Sequence, residues 1–172
     1  SQEQFDYTTQ RIKQAGLGDK VTILLKDYRD VTGTYDRIGS IEMLEAVGEK
    51  YWPVFFNRVK ELLQPGGRAI IQTITIGDEH FSRYRHHADY IQRYIFPGGM
   101  LPSPTILREQ IKDAGLQYKE PLSFGHDYAL TLNKWNQNFQ KNWDKIKSMG
   151  YDAKFKRLWE LYLCYCEAGF RQ

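Results

Sequence analysis

An apolar run that ends in a carboxylate, an amphipathic stretch and a second apolar run follow one another between residues 35 and 76, and that succession leaves few folds open. Tyr35 to Met43 reads as a strand introduced by the turn around Gly33. Glu49 to Leu63 reads as an amphipathic helix, stopped by Gln64-Pro65-Gly66-Gly67. Arg68 to Ile76 reads as the next strand, and its successive apolar residues Ala69, Ile70 and Ile71 predict burial on both faces. Strand, helix, strand with short connections is a βαβ unit, which implies a parallel sheet and a right-handed crossover. Open parallel sheets bind ligands beyond the carboxyl ends of their strands. Glu45, in Glu45-Ala46-Val47-Gly48, falls at such an end, and the polar Gln72 interrupts the following strand. No glycine-rich nucleotide loop lies upstream, so the chain reads as the later part of a cofactor-dependent enzyme whose opening strands are missing.

Around this unit the elements are predicted as follows. Gln4 to Ala15 is a helix ending at Gly16, and Val21 to Leu25 is a short buried strand that runs into the polar loop Lys26 to Asp30. His80 to Ile95 forms one or two helices, and Phe96 to Pro104 is a rigid, turn-rich loop. A helix starts at Ser103 or Pro104, continues to Ala114 and ends at Gly115; Leu116 to Phe124 is a further strand. From Asp127 to Phe170 the chain is helical, with a break near Gly150. No linker divides it, so residues 1–172 are read as one domain, with a helical insertion over about 78–104.

The net charge of +3 neither demands nor excludes a polyanionic partner. Cys164 and Cys166 lack the second pair of a zinc site and point to different helix faces, which reads as two reduced thiols of a cytoplasmic protein. No apolar run reaches the about 18 residues of a membrane span. His80, His86, His87 and His126 do not have metal-ligand spacing. Gly16-Leu17-Gly18 follows a helix and precedes a strand, the reverse of the phosphate-binding order, and is read as a helix stop and turn.

Several residues admit two readings. Asp27 and Tyr28, just past the Val21 strand, suit an adenine amino group and ring, or a local turn. Glu42 and Glu45 lie three apart where strand gives way to loop; a carboxylate in that apolar setting needs a partner, a ligand or water, and Glu45 is favoured as functional. Gln72 holds either a ligand or a neighbouring loop. Arg83, Tyr84, Arg85, Tyr90, Arg93, Tyr94 and Phe96 interleave basic and aromatic groups, which suits an anionic membrane surface, a single-stranded nucleic acid, or a helix packing its rings inward.

Together these segments resemble the cyclopropane-fatty-acyl-phospholipid synthases, a family that includes the mycolic acid cyclopropane synthases. The stretches YDRIGSIEMLEAVGEKYWPVFF, LLQPGGRAIIQTITI, YIFPGGMLPSP and DYALTLNKW carry the likeness, and it extends from EQFDYTTQRI to YLCYCEAGFR. The resemblance implies an α/β fold: a partial class I methyltransferase (Rossmann-like) sheet with helical insertions, lacking the N-terminal strands that carry the cofactor's glycine loop. It implies S-adenosylmethionine (SAM) as methyl donor, a cis double bond of a phospholipid acyl chain as acceptor, and a bound bicarbonate that takes a proton from the new methyl as a cyclopropane ring closes. By the same likeness Glu45, Gln72, the backbone of Ile74 and Tyr128 would hold the bicarbonate; Gln4, Asp27, Tyr28 and Arg29 would lie beside the cofactor; and Tyr94 and Phe96 would cover the acyl chain. The implied location is cytoplasmic and peripheral to the inner membrane, with no nucleic-acid partner. Two alternatives stand beside this reading: another SAM-dependent C-methyltransferase acting on a lipid or small molecule, and a non-catalytic module that binds lipid or nucleic acid.

Three departures matter. Gln72 stands where many members have histidine, and Gly39 replaces a β-branched residue, which predicts lost strand packing. The third is absence: the family's N-terminal domain, glycine-rich loop and bicarbonate-site cysteine are expected to precede Ser1, and its final strand to follow Gln172. Without the intervening strands, the Val21 and Tyr35 strands are separated and the Tyr35 strand has a bare edge. The chain is therefore expected to be a fragment, or to pair its strands differently, with strand sharing between copies or a homo-oligomer as possible outcomes. By itself it is expected to bind SAM weakly or not at all and to be inactive.

Overall fold

A computed structural model describes residues 1–172. Its centre is the predicted βαβ unit. β1 (Tyr35–Ile41) is followed by the one-turn helix α2 (Leu44–Val47), then α3 (Trp52–Leu62) and β2 (Leu63–Gln72). β1 and β2 run parallel, in register from Arg37 opposite Arg68 to Ile41 opposite Gln72. The chain passes from α3 into β2 without a loop, and the Pro-Gly-Gly stop signal becomes the irregular opening of the strand. Gly67 is required there: a Cβ would stand 2.9 Å from the Gln64 carbonyl oxygen and 3.2 Å from that of Asp36.

α3 carries Trp52, Phe55, Phe56 and Val59, the i, i+3, i+4, i+7 stripe of a core-facing helix, and all four are buried. With Leu44, Phe81 and Met100 they form the main core, onto which Ile38, Ala69 and Ile71 pack from the sheet. Only one sheet face is covered. Ile70, expected to be buried, is 72% exposed, because no helix layer lies on its side. The same fact corrects the expectation for Gly39. It pairs with Ile70, and a Cβ there would meet nothing within 4 Å, so no packing is lost.

Two predicted strands do not form. Val21 to Leu25 is extended but unpaired, with Leu24 and Leu25 exposed, and Leu116 to Phe124 is irregular, with Leu122 85% exposed. A strand exists only where a neighbour takes its backbone groups, and β1 and β2 pair with each other alone. The pairing is not rearranged.

The helices follow their caps. α1 (Gln2–Gln14) begins in a Ser1–Gln4 capping box and is followed by Gly16 at φ +66°. α4 (Asp78–His86) and α5 (Tyr90–Tyr94) resolve the Tyr- and Arg-rich segment into two helices, the second capped by Asp89. α6 (Pro104–Asp113) starts at the buried cap Ser103. α7 (Gly125–Lys141), α8 (Trp143–Ser148) and α9 (Ala153–Phe170) complete the chain; Leu132, Phe139 and Leu163 form a second core between α7 and α9. Hydrogen bonds from Tyr90 to the Leu158 carbonyl (2.8 Å) and from Tyr165 to Asp89 (3.3 Å) tie α5 and its cap to α9. No helix is long and apolar enough to cross a membrane.

Candidate active site

The site begins where β1 ends. The Glu42 amide donates to the Gln72 carbonyl at 2.9 Å, the last rung between the strands. Glu42 then takes φ +49°, and it is the only non-glycine residue of the chain with positive φ. A left-handed conformation costs about 1–3 kcal/mol for such a residue and persists where the surroundings impose it. The turn swings the chain out of the sheet and into α2, which carries Glu45.

Glu45 reaches across to the residues that follow β2. Its Oε1 accepts from the Ile74 amide at 2.6 Å and from Thr73 Oγ1 at 3.0 Å. Its Oε2 is buried and has no partner. Below it the Leu44 side chain is fully buried, and the Leu44 carbonyl accepts from Trp52 Nε1 at 3.4 Å. A buried carboxylate oxygen without a donor is costly, and its natural complement is a positive charge or a proton.

Glu42 gathers the remaining residues. Its Oε1 accepts from Gln72 Nε2 at 2.9 Å and from Tyr128 Oη at 2.6 Å. Tyr128 comes from the first turn of α7, and its ring lies 4.8 Å from that of Phe170. Burial, then the hydrogen bond to Glu42 and its charge, push the Tyr128 phenol far above the usual tyrosine range, with a smaller contribution from Glu45. The phenol is held more tightly in the folded than in the unfolded chain. Stability from this group is fully present below the ordinary value of 10.0 and is lost as pH rises from there toward the higher folded value. Urea titrations between about pH 9 and pH 12 should show the wild-type chain losing stability relative to Tyr128→Phe; a pH-independent difference would contradict this.

Glu45, Gln72, Ile74 and Tyr128 thus converge at the carboxyl end of the two strands, and Glu42 and Thr73 join them. Glu42 was visible in the sequence as the partner of Glu45 three residues on, but nothing local signalled its backbone conformation or its contact with a tyrosine 86 residues away. Each of these residues bonds a carboxylate: Ile74 and Thr73 donate to Glu45, and Gln72, with one of its two N–H groups, and Tyr128 donate to Glu42. An anion seat needs donors that point inward. What remains open here is Glu45 Oε2, which could accept from the hydroxyl of a bound acid anion, and the second N–H of Gln72.

Asp27, Tyr28 and Arg29 form a separate corner. Asp27 Oδ1 accepts from the Arg29 amide and Nε, both at 2.9 Å, and Oδ2 accepts from Nη2 at 2.8 Å. These bonds from Arg29 hold the Asp27 carboxyl at about 2. With Tyr28, Met43, Ala46, Val47 and Tyr51 the pair lines an open cleft of about 340 Å³ beside α2. Of the roughly four lone-pair sites of a carboxylate, one on Oδ2 remains for an amino donor. The aromatic walls and this acceptor fit an adenosine. Gln4 is not brought to this corner: its side chain accepts from the Ser1 amine on the exposed α1. Tyr94 and Phe96 are 63% and 55% exposed; Phe96 stands 6.0 Å from Tyr162, whose phenol is raised by burial and, to a lesser degree, by the charges of Cys166 and Glu42. An aromatic surface therefore leads from Phe96 toward the Glu42 cluster.

Residues 1–172 match the profile of a family described as mycolic acid cyclopropane synthetase. The chain is 44% identical over 172 residues to the tuberculostearic acid methyltransferase UfaA1 of Mycobacterium tuberculosis, covering 99% of this chain and 40% of that protein. It is 36% identical over 154 residues to the cyclopropane-fatty-acyl-phospholipid synthase of Escherichia coli, covering 90% and 39% respectively. The chain thus spans about two fifths of the length of these curated relatives. Among solved structures, apo CmaA1, a mycolic acid cyclopropane synthase, superposes with a TM-score of 0.81 and 26% identity over 99% of this chain and 66% of that one. CmaA1 complexed with SAH and CTAB superposes with a TM-score of 0.80 at 23% identity, over 99% of this chain and 63% of that one.

Proposed function

This chain belongs to the mycolic acid cyclopropane synthetase family, and from that premise we propose that it forms part of a cyclopropane-fatty-acyl-phospholipid synthase. In this reading a methyl is added to one carbon of a cis double bond in a phospholipid acyl chain, positive charge develops on the other carbon, and loss of a proton from the methyl accompanies ring closure. The observation that carries the reading is the buried, unpartnered Glu45 Oε2 at the carboxyl end of the sheet, a fixed negative charge that favours a cationic transition state. Asp27, Tyr28 and Tyr51 line the cleft that would hold the adenosine of SAM. Bound there, SAM supplies an activated methyl on a sulfonium centre.

The exposed rings of Tyr94 and Phe96 support contact with an acyl chain at a bilayer surface, and aromatic faces also favour a nearby cation. A second reading, C-methylation of the same kind of chain without ring closure, is supported by the likeness to a tuberculostearic acid methyltransferase. The test supplies methyl-labelled SAM and vesicles of unsaturated phospholipid to the whole protein. Label in the lipid fraction as a cyclopropane fatty acid is expected. Label in a branched or methylene chain would select the second reading, and label confined to a soluble product would defeat both.

A further inference from the structure

α2, the single turn that carries Glu45, is too short to hold its own shape, so its place depends on what grips it. One grip is the side-chain crossing from Glu45 to Thr73 and Ile74. The other is a backbone bond, in which the Met100 amide donates to the Glu45 carbonyl at 2.9 Å. We propose that Gln92, on α5, is a positioning residue for Glu45: its side-chain amide fixes the peptide that presents the Met100 N–H, and so couples the segment bearing Tyr94 and Phe96 to the carboxylate at the strand ends. The inference rests on the methyl-transfer reading and adds a residue that acts through Glu45.

Gln92 is half-buried and uses both ends of its amide. Oε1 accepts from the Asp89 amide at 3.0 Å and closes the capping box of α5, in which the Gln92 backbone amide donates to Asp89 Oδ1 at 2.9 Å. Nε2 donates to the Gly99 carbonyl at 3.0 Å. Both side-chain partners are backbone groups, one a donor and one an acceptor, so a single orientation of the amide satisfies them. The capping box needs only Oε1; the bond from Nε2 reaches beyond the helix. The Gly99 carbonyl and the Met100 N–H belong to one planar peptide, so holding the oxygen aims the N–H. Gln92 grips one edge of that peptide and the Glu45 carbonyl accepts from the other. The fit is close: a Cβ on Gly99 would stand 3.1 Å from the Phe96 carbonyl oxygen and 3.8 Å from that of Glu45.

The brace has fixed supports. Tyr90 and Tyr165 tie α5 and its cap to α9, the Met100 side chain is buried in the main core, and the Leu101 amide donates to Tyr84 Oη at 3.3 Å. Between these supports the turn of residues 96–99 is closed by a bond from the Gly99 amide to the Phe96 carbonyl at 2.9 Å, with Gly98 at φ +84°. Tyr94 lies on the braced helix and Phe96 in the braced turn, so lipid contact at those rings and the placing of the carboxylate are mechanically linked.

Two substitutions test this in the whole protein. Gln92→Glu keeps the capping-box acceptor but loses the donor to Gly99 and sets oxygen against oxygen. Gln92→Met, neutral and of similar length, removes the same donor without adding charge. With methyl-labelled SAM and vesicles of unsaturated phospholipid, both should lower kcat about tenfold and leave the KM for SAM within about twofold. The same substitutions made in Glu45→Gln should cost less than about twofold, because a residue that acts through Glu45 has nothing left to position; an independent structural role would cost the same in both backgrounds. Amide hydrogen exchange reads the link without turnover. In both variants the Met100 and Ile74 amides, which bond to Glu45, should exchange about fivefold faster than in wild type, while the Glu42 amide, bonded across the strands, is unchanged. Equal losses in the two backgrounds, a loss in Gln92→Glu alone, unchanged exchange at Met100 and Ile74, or a urea midpoint that collapses in both variants overturns the role of Gln92 while methyl transfer to lipid stands. Absence of any labelled lipid from wild type overturns the methyl-transfer reading, and this inference with it.

Discussion

Glu45→Gln is expected to lower turnover by about two to three orders of magnitude, the range found when a preorganised electrostatic partner of a transition state is removed. The substitution is nearly isosteric. The amide oxygen can still accept from the Ile74 amide and Thr73 Oγ1, so the crossing from α2 to the segment after β2 is kept. What disappears is the charge on the oxygen that has no partner. Burying that charge is unfavourable for the folded chain, and replacing it with a neutral amide should leave the urea midpoint unchanged or raise it. Loss of activity without loss of stability is the pattern of a residue kept for chemistry. Retained turnover with a lowered midpoint would mean instead that Glu45 only joins two segments. Affinity for SAM should change little, because the Asp27–Tyr28 corner is built from other side chains.

The largest effect on stability is expected at Phe56. Its side chain is fully buried among Trp52, Phe55 and Leu44, the centre of the main core. Phe56→Ala removes most of a ring and leaves a cavity, at a cost of about 3–5 kcal/mol. Only 13 of 172 residues are buried, so few other contacts share the load. Domains of this kind are held by about 5–15 kcal/mol in total, and this chain should sit at the low end of that range. Phe56→Ala should therefore keep no more than about 2 kcal/mol and melt close to ambient temperature by circular dichroism, whereas Val54→Ala, on the exposed side of the same helix, should shift stability by no more than about 0.5 kcal/mol. Similar cooperative unfolding in both variants would place the core elsewhere.

Legibility differed between elements for a physical reason. The stripe of Trp52, Phe55, Phe56 and Val59 encodes a helix and its buried face in the spacing of residues alone. Ser103, Asp89 and Gly16 mark helix ends because caps act within a single turn. Val21 to Leu25 has the composition of a strand and forms none, since composition does not supply a hydrogen-bonding neighbour. Ile70 was read as buried from its place in an apolar strand and Gly39 as a loss of packing from the family likeness, and both lie on the uncovered face.

The site divides in the same way. Glu45 and Gln72 stood out as polar groups in apolar runs, a conflict visible along the chain. Ile74 and Tyr128 entered through likeness to a family, and the structure brings them to the same strand ends. By itself, then, the amino-acid sequence determined the parallel βαβ unit, the helix that covers it and the carboxylate at its end, because each depends on local spacing and caps. Only the tertiary structure decided that one sheet face stays open, that Glu42 turns through a positive φ, and that its carboxylate takes the donors of Gln72 and Tyr128. Those outcomes depend on which distant backbone and side-chain groups meet, and contacts across 30 and 86 residues leave no periodic trace in the chain.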